Sequence, residues 1–192
     1  NPSAETLARY RQARAKFLRE RRSLGRLRDL PAETRDGIRL TLQANIELPS
    51  EMDSVLAAGA EGIGLFRSEF LYMNRDDLPG EDEQYALLRQ VVEGLGGRPV
   101  TIRTLDVGGD KLAHSLGMIP GPNPALGLRA VRLSLARPEL LQTQMAAILR
   151  AAVHGPVRIL LPMVATIDEV VAARNARDAA ASALKAAGQA LP

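Results

Sequence analysis

Four short apolar runs, at residues 38–46, 63–66, 100–105 and 157–161, are each followed by a stretch with helical spacing, and this repetition constrains the fold more than any other feature. Strands that alternate with helices need crossover connections, which are right-handed and leave the strands parallel. In the first run Ile38, Leu40, Leu42, Ala44 and Ile46 alternate with Arg39, Thr41, Gln43, Asn45 and Glu47, the period of a half-buried strand behind an Asp36-Gly37 turn. Ser50 with Asp53 reads as a capping box behind Pro49, opening a short helix that Gly59 closes. Leu87, Leu88, Val91, Val92 and Leu95 mark a helix over 83–95. An irregular stretch from 107 to 124, longer than a plain connection requires, leads to a short helix over 128–135 and another from Pro138 to Gly155. Thr166 with Glu169 opens a last helix reaching about residue 187.

The fold class expected is therefore α/β with about four β/α units. An open doubly wound sheet and half of a (β/α)8 barrel both fit, and periodicity does not choose between them. In either, chemistry sits at the carboxyl ends of the strands.

Ahead of these units, Leu7, Tyr10, Ala13, Phe17, Leu24 and Leu27 recur at steps of three, four and seven, predicting one long helix from Ser3 to about Arg28 that Pro31 stops. Such a helix reads as a connector over 1–30, with the domain proper over 31–192. Residues 1–39 hold 11 Arg or Lys against 5 Asp or Glu, while the rest of the chain holds 14 against 17, so the net charge of +3 belongs to this first segment. Only six aromatic residues occur in 192, too few to supply stacking platforms, and a solvated arginine-rich helix is preferred to a nucleic-acid surface. No apolar run approaches the ~18 residues of a membrane span, and the first residues lack a signal-peptide plan, so the expectation is a cytoplasmic protein without membrane insertion. Zero cysteines exclude a disulfide scaffold and a thiolate nucleophile within this stretch.

Arg67 follows the second run directly, and Arg103 lies within the third. A guanidinium at a strand end must be paired or must bind an anion, since an uncompensated buried charge is costly. Both readings stay open: an internal ion pair with Glu69 or Asp106, or an anionic ligand held by two planar forks at one rim. Gly108-Gly109-Asp110-Lys111 could turn backbone N–H groups toward a phosphate, yet neither a P-loop nor a dinucleotide fingerprint is met. Arg129 and Arg132, three apart, fit the solvated face of a short helix. His114 and His154 lack neighbours at metal-ligand spacing, and Ser68 lacks a nearby histidine, so no nucleophilic triad is supported.

The block Gly59-Ala60-Glu61-Gly62-Ile63-Gly64-Leu65-Phe66-Arg67-Ser68-Glu69-Phe70-Leu71 resembles the signature of phosphoenolpyruvate (PEP)-utilising enzymes. The blocks Thr101-Ile102-Arg103-Thr104-Leu105-Asp106-Val107-Gly108-Gly109-Asp110-Lys111 and Asn123-Pro124-Ala125-Leu126-Gly127-Leu128-Arg129 are similar to those of one branch, the enzyme I family of the bacterial sugar phosphotransferase system. Pyruvate phosphate dikinase and PEP synthase share the first block and differ in the second. The resemblance implies the N-terminal part of a (β/α)8 barrel that binds PEP at its carboxyl rim, with Arg67 and Arg103 on the phosphate, Arg129 supporting the phosphate or rim, and Lys111 in electrostatic support.

The same resemblance implies Mg²⁺ as cofactor, a histidine that takes the phosphoryl group, onward transfer to the carrier HPr, and a homodimer. The family's Mg²⁺-ligand blocks, its proton-donating cysteine and its phosphorylatable-histidine motif are absent here. The chain therefore reads as a connector helix plus half a barrel, inactive by itself and inclined to self-associate through its open edges or its helix. The rivals are a PEP-utilising relative such as pyruvate phosphate dikinase or PEP synthase, and a non-catalytic anion-binding or oligomerisation module.

Overall fold

The computed structural model describes residues 1–73, 75, 77–107 and 127–192. Its centre is a parallel sheet of four strands among the described residues, β1 (Ala44–Ile46), β2 (Ile63–Arg67), β3 (Val100–Arg103) and β4 (Val157–Leu160), lying side by side in chain order. The strand order never reverses, so there is no topological switch point of the kind a doubly wound sheet uses for its ligand. Successive right-handed crossovers in such an order place their helices on one face.

That face holds the main core. Ile46, Ile63, Phe66, Val100 and Ile102 from the strands pack against Met52 and Val55 of α2 (Met52–Ala57), and against Leu88, Val91 and Val92 of α3 (Glu81–Gly94). Two further helices follow β3, α4 (Ala130–Ala136) and α5 (Pro138–Ala151), and the apolar stripe of α5 adds Ala147, Ile148 and Ala151 to the same core. The last helix, α6 (Ile167–Ala186), packs on α5 through Ala180 and Leu184 against Leu141 and Met145. The opposite face of the sheet carries the alternate residues, Asn45 beside Leu65, Arg67 beside Arg103, and Thr101 beside Arg158.

Gly62 is required where β2 enters the sheet. A Cβ there would stand 2.4 Å from the Pro99 carbonyl oxygen, which accepts the Ile63 N–H at 2.8 Å to start the β2–β3 ladder. A second cluster, Leu71, Tyr72, Leu105, Val107, Leu133 and Leu140, lies beneath the turns at the carboxyl ends of β2 and β3 and supports that rim. Burial pushes the Tyr72 phenol above its usual pKa range, and its neutral hydroxyl donates to Gln84 Oε1 at 3.2 Å.

Two expectations need correction. The alternating run at 38–46 yields a strand only over its last three residues. Residues 32–40 fold instead into a small antiparallel hairpin around Gly37, with Thr34 N–H donating to Ile38 O (2.9 Å) and Leu40 N–H to Ala32 O (2.8 Å). Local pairing satisfies this backbone before the parallel neighbour can, and Ile38, Leu40 and Leu42 stay 57%, 50% and 59% exposed. The expected Ser50–Asp53 box is replaced by a 3₁₀ turn, Pro49–Glu51, that leads into α2 and is capped by Glu51, whose carboxylate accepts the Glu47 and Leu48 N–H groups, both at 2.8 Å. The first helix, α1 (Ala4–Leu24), starts at Ser3 as the sequence indicates, Ser3 Oγ accepting the Thr6 N–H at 3.2 Å, and it buries no residue. A short 3₁₀ turn, Gly25–Leu27, ends it.

The expected capping box at α6 is present: Glu169 N–H donates to Thr166 Oγ1 (3.3 Å) while Glu169 Oε2 accepts from Ala165 N–H (2.7 Å) and Thr166 N–H (2.9 Å). Those two backbone donors hold the Glu169 carboxyl below its ordinary pKa. A carboxylate depressed on folding stabilises the protein fully above its unfolded pKa of about 4.3, and the contribution disappears as pH falls through the lower folded value. Urea midpoints measured from pH 6 downward should therefore fall more steeply for the wild type than for Glu169→Gln; parallel curves would contradict this cap. Phe66→Ala, removing a fully buried ring that meets Phe70 edge-on at 5.9 Å, should cost about 3–5 kcal/mol in denaturant unfolding. In the same assay Phe17→Ala, on the 60%-exposed face of α1, should stay within about 0.5 kcal/mol.

Candidate functional site

The rim at the carboxyl ends of the strands gathers the charged residues singled out in the sequence. Arg67 and Arg103 are register partners at the last rung between β2 and β3. Neighbouring parallel strands run about 4.8 Å apart, so the two side chains leave the same face of the sheet from adjacent Cα atoms. On β1, Asn45 pairs with Leu65 and Ile46 with Phe66, and one further step brings Glu47 level with Arg67. The Arg67 guanidinium donates to Glu47 Oε1, in an exposed pair.

Arg103 is more enclosed, its side chain 21% exposed. Its Nε donates to Glu69 Oε1 at 2.9 Å, its Nη2 lies 2.7 Å from the same oxygen, and its Nη1 lies 3.2 Å from Asp106 Oδ2. The other oxygen of Asp106 accepts from Arg129 Nη2 at 3.1 Å. Asp106 thus bridges two arginines from separate segments of the chain. Among the described residues, two polar atoms in this network are buried without a partner, Glu69 Oε2 and Arg129 Nε.

Arg129 is the residue before α4, and the solvated-helix reading of Arg129 and Arg132 is overturned. Arg129 is half-buried on Asp106, and Arg132 Nε stands 3.9 Å from Glu169 Oε1 at the head of α6. The backbone turns sharply here: Ala130, fully buried, takes a φ of +51°, and Met163 beyond β4 takes +58°. Left-handed conformations at non-glycine residues cost on the order of 1–3 kcal/mol and persist only where the surroundings enforce them. These two segments touch, Val131 N–H reaching Pro162 O at 3.4 Å.

Of the residues expected to bind ligand, Arg67, Arg103 and Arg129 stand at one rim. Lys111 lies outside the described residues, as does His114. His154 is on the helical layer far along the chain from these rim residues, its Nε2 3.0 Å from Tyr85 Oη and its Nδ1 3.2 Å from Glu93 Oε1. The ion-pair reading holds at Arg103, which pairs with Glu69 and Asp106, and Arg67 pairs with Glu47. Sequence reasoning missed Glu47, though its place on the polar phase of the first run carried the signal. It also missed Gln144, buried on α5, which nothing in the helical periodicity distinguishes from a core residue. Among the described residues no group of three or more His, Asp or Glu is arranged to hold a metal ion, the rim carboxylates being taken up by arginines.

Residues 21–191 match the family described as PEP-utilising enzyme, PEP-binding domain, and the chain belongs to that family. It is 47% identical over 169 residues to the phosphoenolpyruvate-protein phosphotransferase of Staphylococcus carnosus, covering 88% of this chain and 30% of that protein. It is 50% identical over 173 residues to the phosphoenolpyruvate-protein phosphotransferase of Cupriavidus necator, covering 88% of this chain and again 30% of the relative. The chain thus spans under a third of the length of these relatives.

Asp106→Asn should leave two half-buried guanidinium groups without their shared counter-charge and cost about 1–3 kcal/mol in denaturant unfolding. An unchanged midpoint would show that Arg103 and Arg129 do not depend on this bridge.

Proposed function

We propose that this chain is the arginine-bearing, PEP-binding portion of a phosphoenolpyruvate-protein phosphotransferase, with Arg67 and Arg103 on the phosphate of PEP. The observation that carries the reading is the side-by-side register of these two arginines at the carboxyl rim of a parallel sheet, within a chain of the PEP-binding family. A guanidinium fork matches phosphate oxygens two at a time, and two forks raised from adjacent strands converge on one phosphoryl group. Arg129, tied to Arg103 through Asp106, supports the rim, and Lys111, which lies outside the described residues, is assigned electrostatic support by the family resemblance alone.

In this reading the four strands are the first half of a (β/α)8 barrel. Their sequential order, one-sided helices and two edges unpaired among the described residues support it, as do the exposed Ile38, Leu40 and Leu42 next to β1. Residues 1–30, whose helix buries nothing, are the connector to a separate domain carrying the phosphoryl-accepting histidine. The whole polypeptide is a cytoplasmic homodimer that passes the phosphoryl group on to HPr for sugar uptake. The residues described here do not form a Mg²⁺ site, and the ligands of that ion belong to blocks this sequence lacks. What these residues contribute is positioning of the phosphate and stabilisation of its charge during transfer, the main tasks of a protein in phosphoryl transfer.

In the full-length polypeptide, Arg103→Ala should lower PEP-dependent phosphorylation by about 10²–10³-fold, and Arg103→Lys should not restore it, because a point charge cannot replace the fork. Rapid-quench measurement of the phosphorylated protein reads this directly, and wild-type rates in either variant would sink the assignment. The isolated chain should release no pyruvate from PEP; release above a blank would mean the chemistry lies elsewhere than proposed.

A further inference from the structure

The ladder between β2 and β3 ends at Arg67 and Arg103, and the backbone just beyond must find other partners. Thr104 N–H turns to the β4 side, donating to Leu160 O at 2.9 Å. On the β2 side two side chains replace a strand. Ser68 Oγ donates to the Arg103 carbonyl oxygen at 2.8 Å, Gln144 Nε2 donates to Ser68 Oγ at 3.1 Å, and Gln144 Oε1 accepts the Leu105 N–H at 2.9 Å. The Leu105 N–H fixes which end of the amide faces it, so the orientation of Gln144 is determined.

All three bonds are enclosed: Ser68 is 0% exposed and Gln144 2%. Gln144 sits on the apolar face of α5 with Leu141, Met145 and Ile148, where an aliphatic side chain would fill the core equally well. Its amide instead crosses from the helix layer to the rim. Ser68 and Glu69, consecutive in the chain, hold Arg103 at both ends, one through its carbonyl and the other through its guanidinium. Leu105, gripped by Gln144, immediately precedes the bridging Asp106.

We propose that Ser68 and Gln144 are positioning residues for the anion site: they fix the backbone of residues 103–105 so that Arg103 and Asp106 project at the angle the ligand needs. This rests on the reading that the rim binds PEP. A misplaced binding group loses on the order of tenfold to a hundredfold in effectiveness.

The test uses the full-length polypeptide, titrated with PEP by calorimetry and followed by amide exchange at Leu105. Ser68→Ala and Gln144→Leu should weaken PEP binding about tenfold or more. Ser68→Thr, which keeps the hydroxyl, should bind within about twofold of wild type. Val91→Ala, a core truncation on α3 away from this network, controls for lost stability and should leave affinity unchanged. Gln144→Glu, which keeps the acceptor for Leu105 and loses the donor to Ser68, should bind PEP more weakly than wild type and serves where Gln144→Leu fails to fold. The Leu105 amide should be protected in wild type and lose protection in Gln144→Leu or, where that variant fails to fold, weaken in Gln144→Glu. Undiminished PEP affinity in Ser68→Ala and in the glutamine variants, or an unprotected Leu105 amide in wild type, overturns the positioning role while the PEP reading stands. A wild-type protein that does not bind PEP overturns both.

Discussion

Two guanidinium groups raised side by side on neighbouring strands repel each other, and the rim of this sheet is organised around that repulsion. Two unit charges ~7 Å apart at an effective dielectric of ~20 oppose each other by about 2 kcal/mol, enough to disfavour the register that brings them together. The register is nevertheless fixed from below, because Ile63, Phe66, Val100 and Ile102 must all face the helices, and a one-residue slip would turn them out. The core therefore dictates that Arg67 and Arg103 stand together, and carboxylates from three further places relieve the conflict. Glu47 comes from the end of β1, Glu69 from the turn after β2 and Asp106 from the tail of β3.

This arrangement explains why the rim is built from so many separate pieces of chain. The second apolar cluster beneath it, with Leu71, Leu105 and Leu133, holds the turns that deliver Glu69, Asp106 and Arg129. The left-handed Ala130 is the local cost of aiming Arg129 back at Asp106 rather than along its helix. An array of forks supported from below is what the proposed binding of a doubly charged phosphate requires.

The parts of the fold legible in the sequence are those where a single local rule decides. Val91 and Leu88 sit at helical spacing and are buried as that spacing requires, and the Thr166–Glu169 cap is fully determined by residues three apart. The short block ending in Arg67 gives both its strand and the arginine at its end. Illegible parts depend on competition between partners. Ile38, Leu40 and Leu42 have a strand's period, but a nearby turn lets the same backbone pair with itself, and no pattern in the run reveals which wins. Ser50 and Glu51 both offer oxygen to the start of α2, and only the geometry of the turn at Pro49 selects the longer side chain. At the site, Arg67 and Arg103 were visible because a charge at the end of an apolar strand is anomalous. Gln144 was not, because one amide on a buried helical face looks like a tolerated polar substitution until its partners from β2 and β3 are seen.

The three rim arginines face three carboxylates, so the cluster of Arg67, Arg103 and Arg129 with Glu47, Glu69 and Asp106 is close to electroneutral. An arriving anion does not fall into an open well of positive charge. At the proposed site it displaces carboxylates anchored a few bonds from the same strands, which act as intramolecular competitors. A singly charged anion gains little from such an exchange, whereas a phosphate offering several oxygens at once can replace more than one tethered carboxylate. In the proposed site, selectivity for multidentate anions follows from the charge balance of these six described residues.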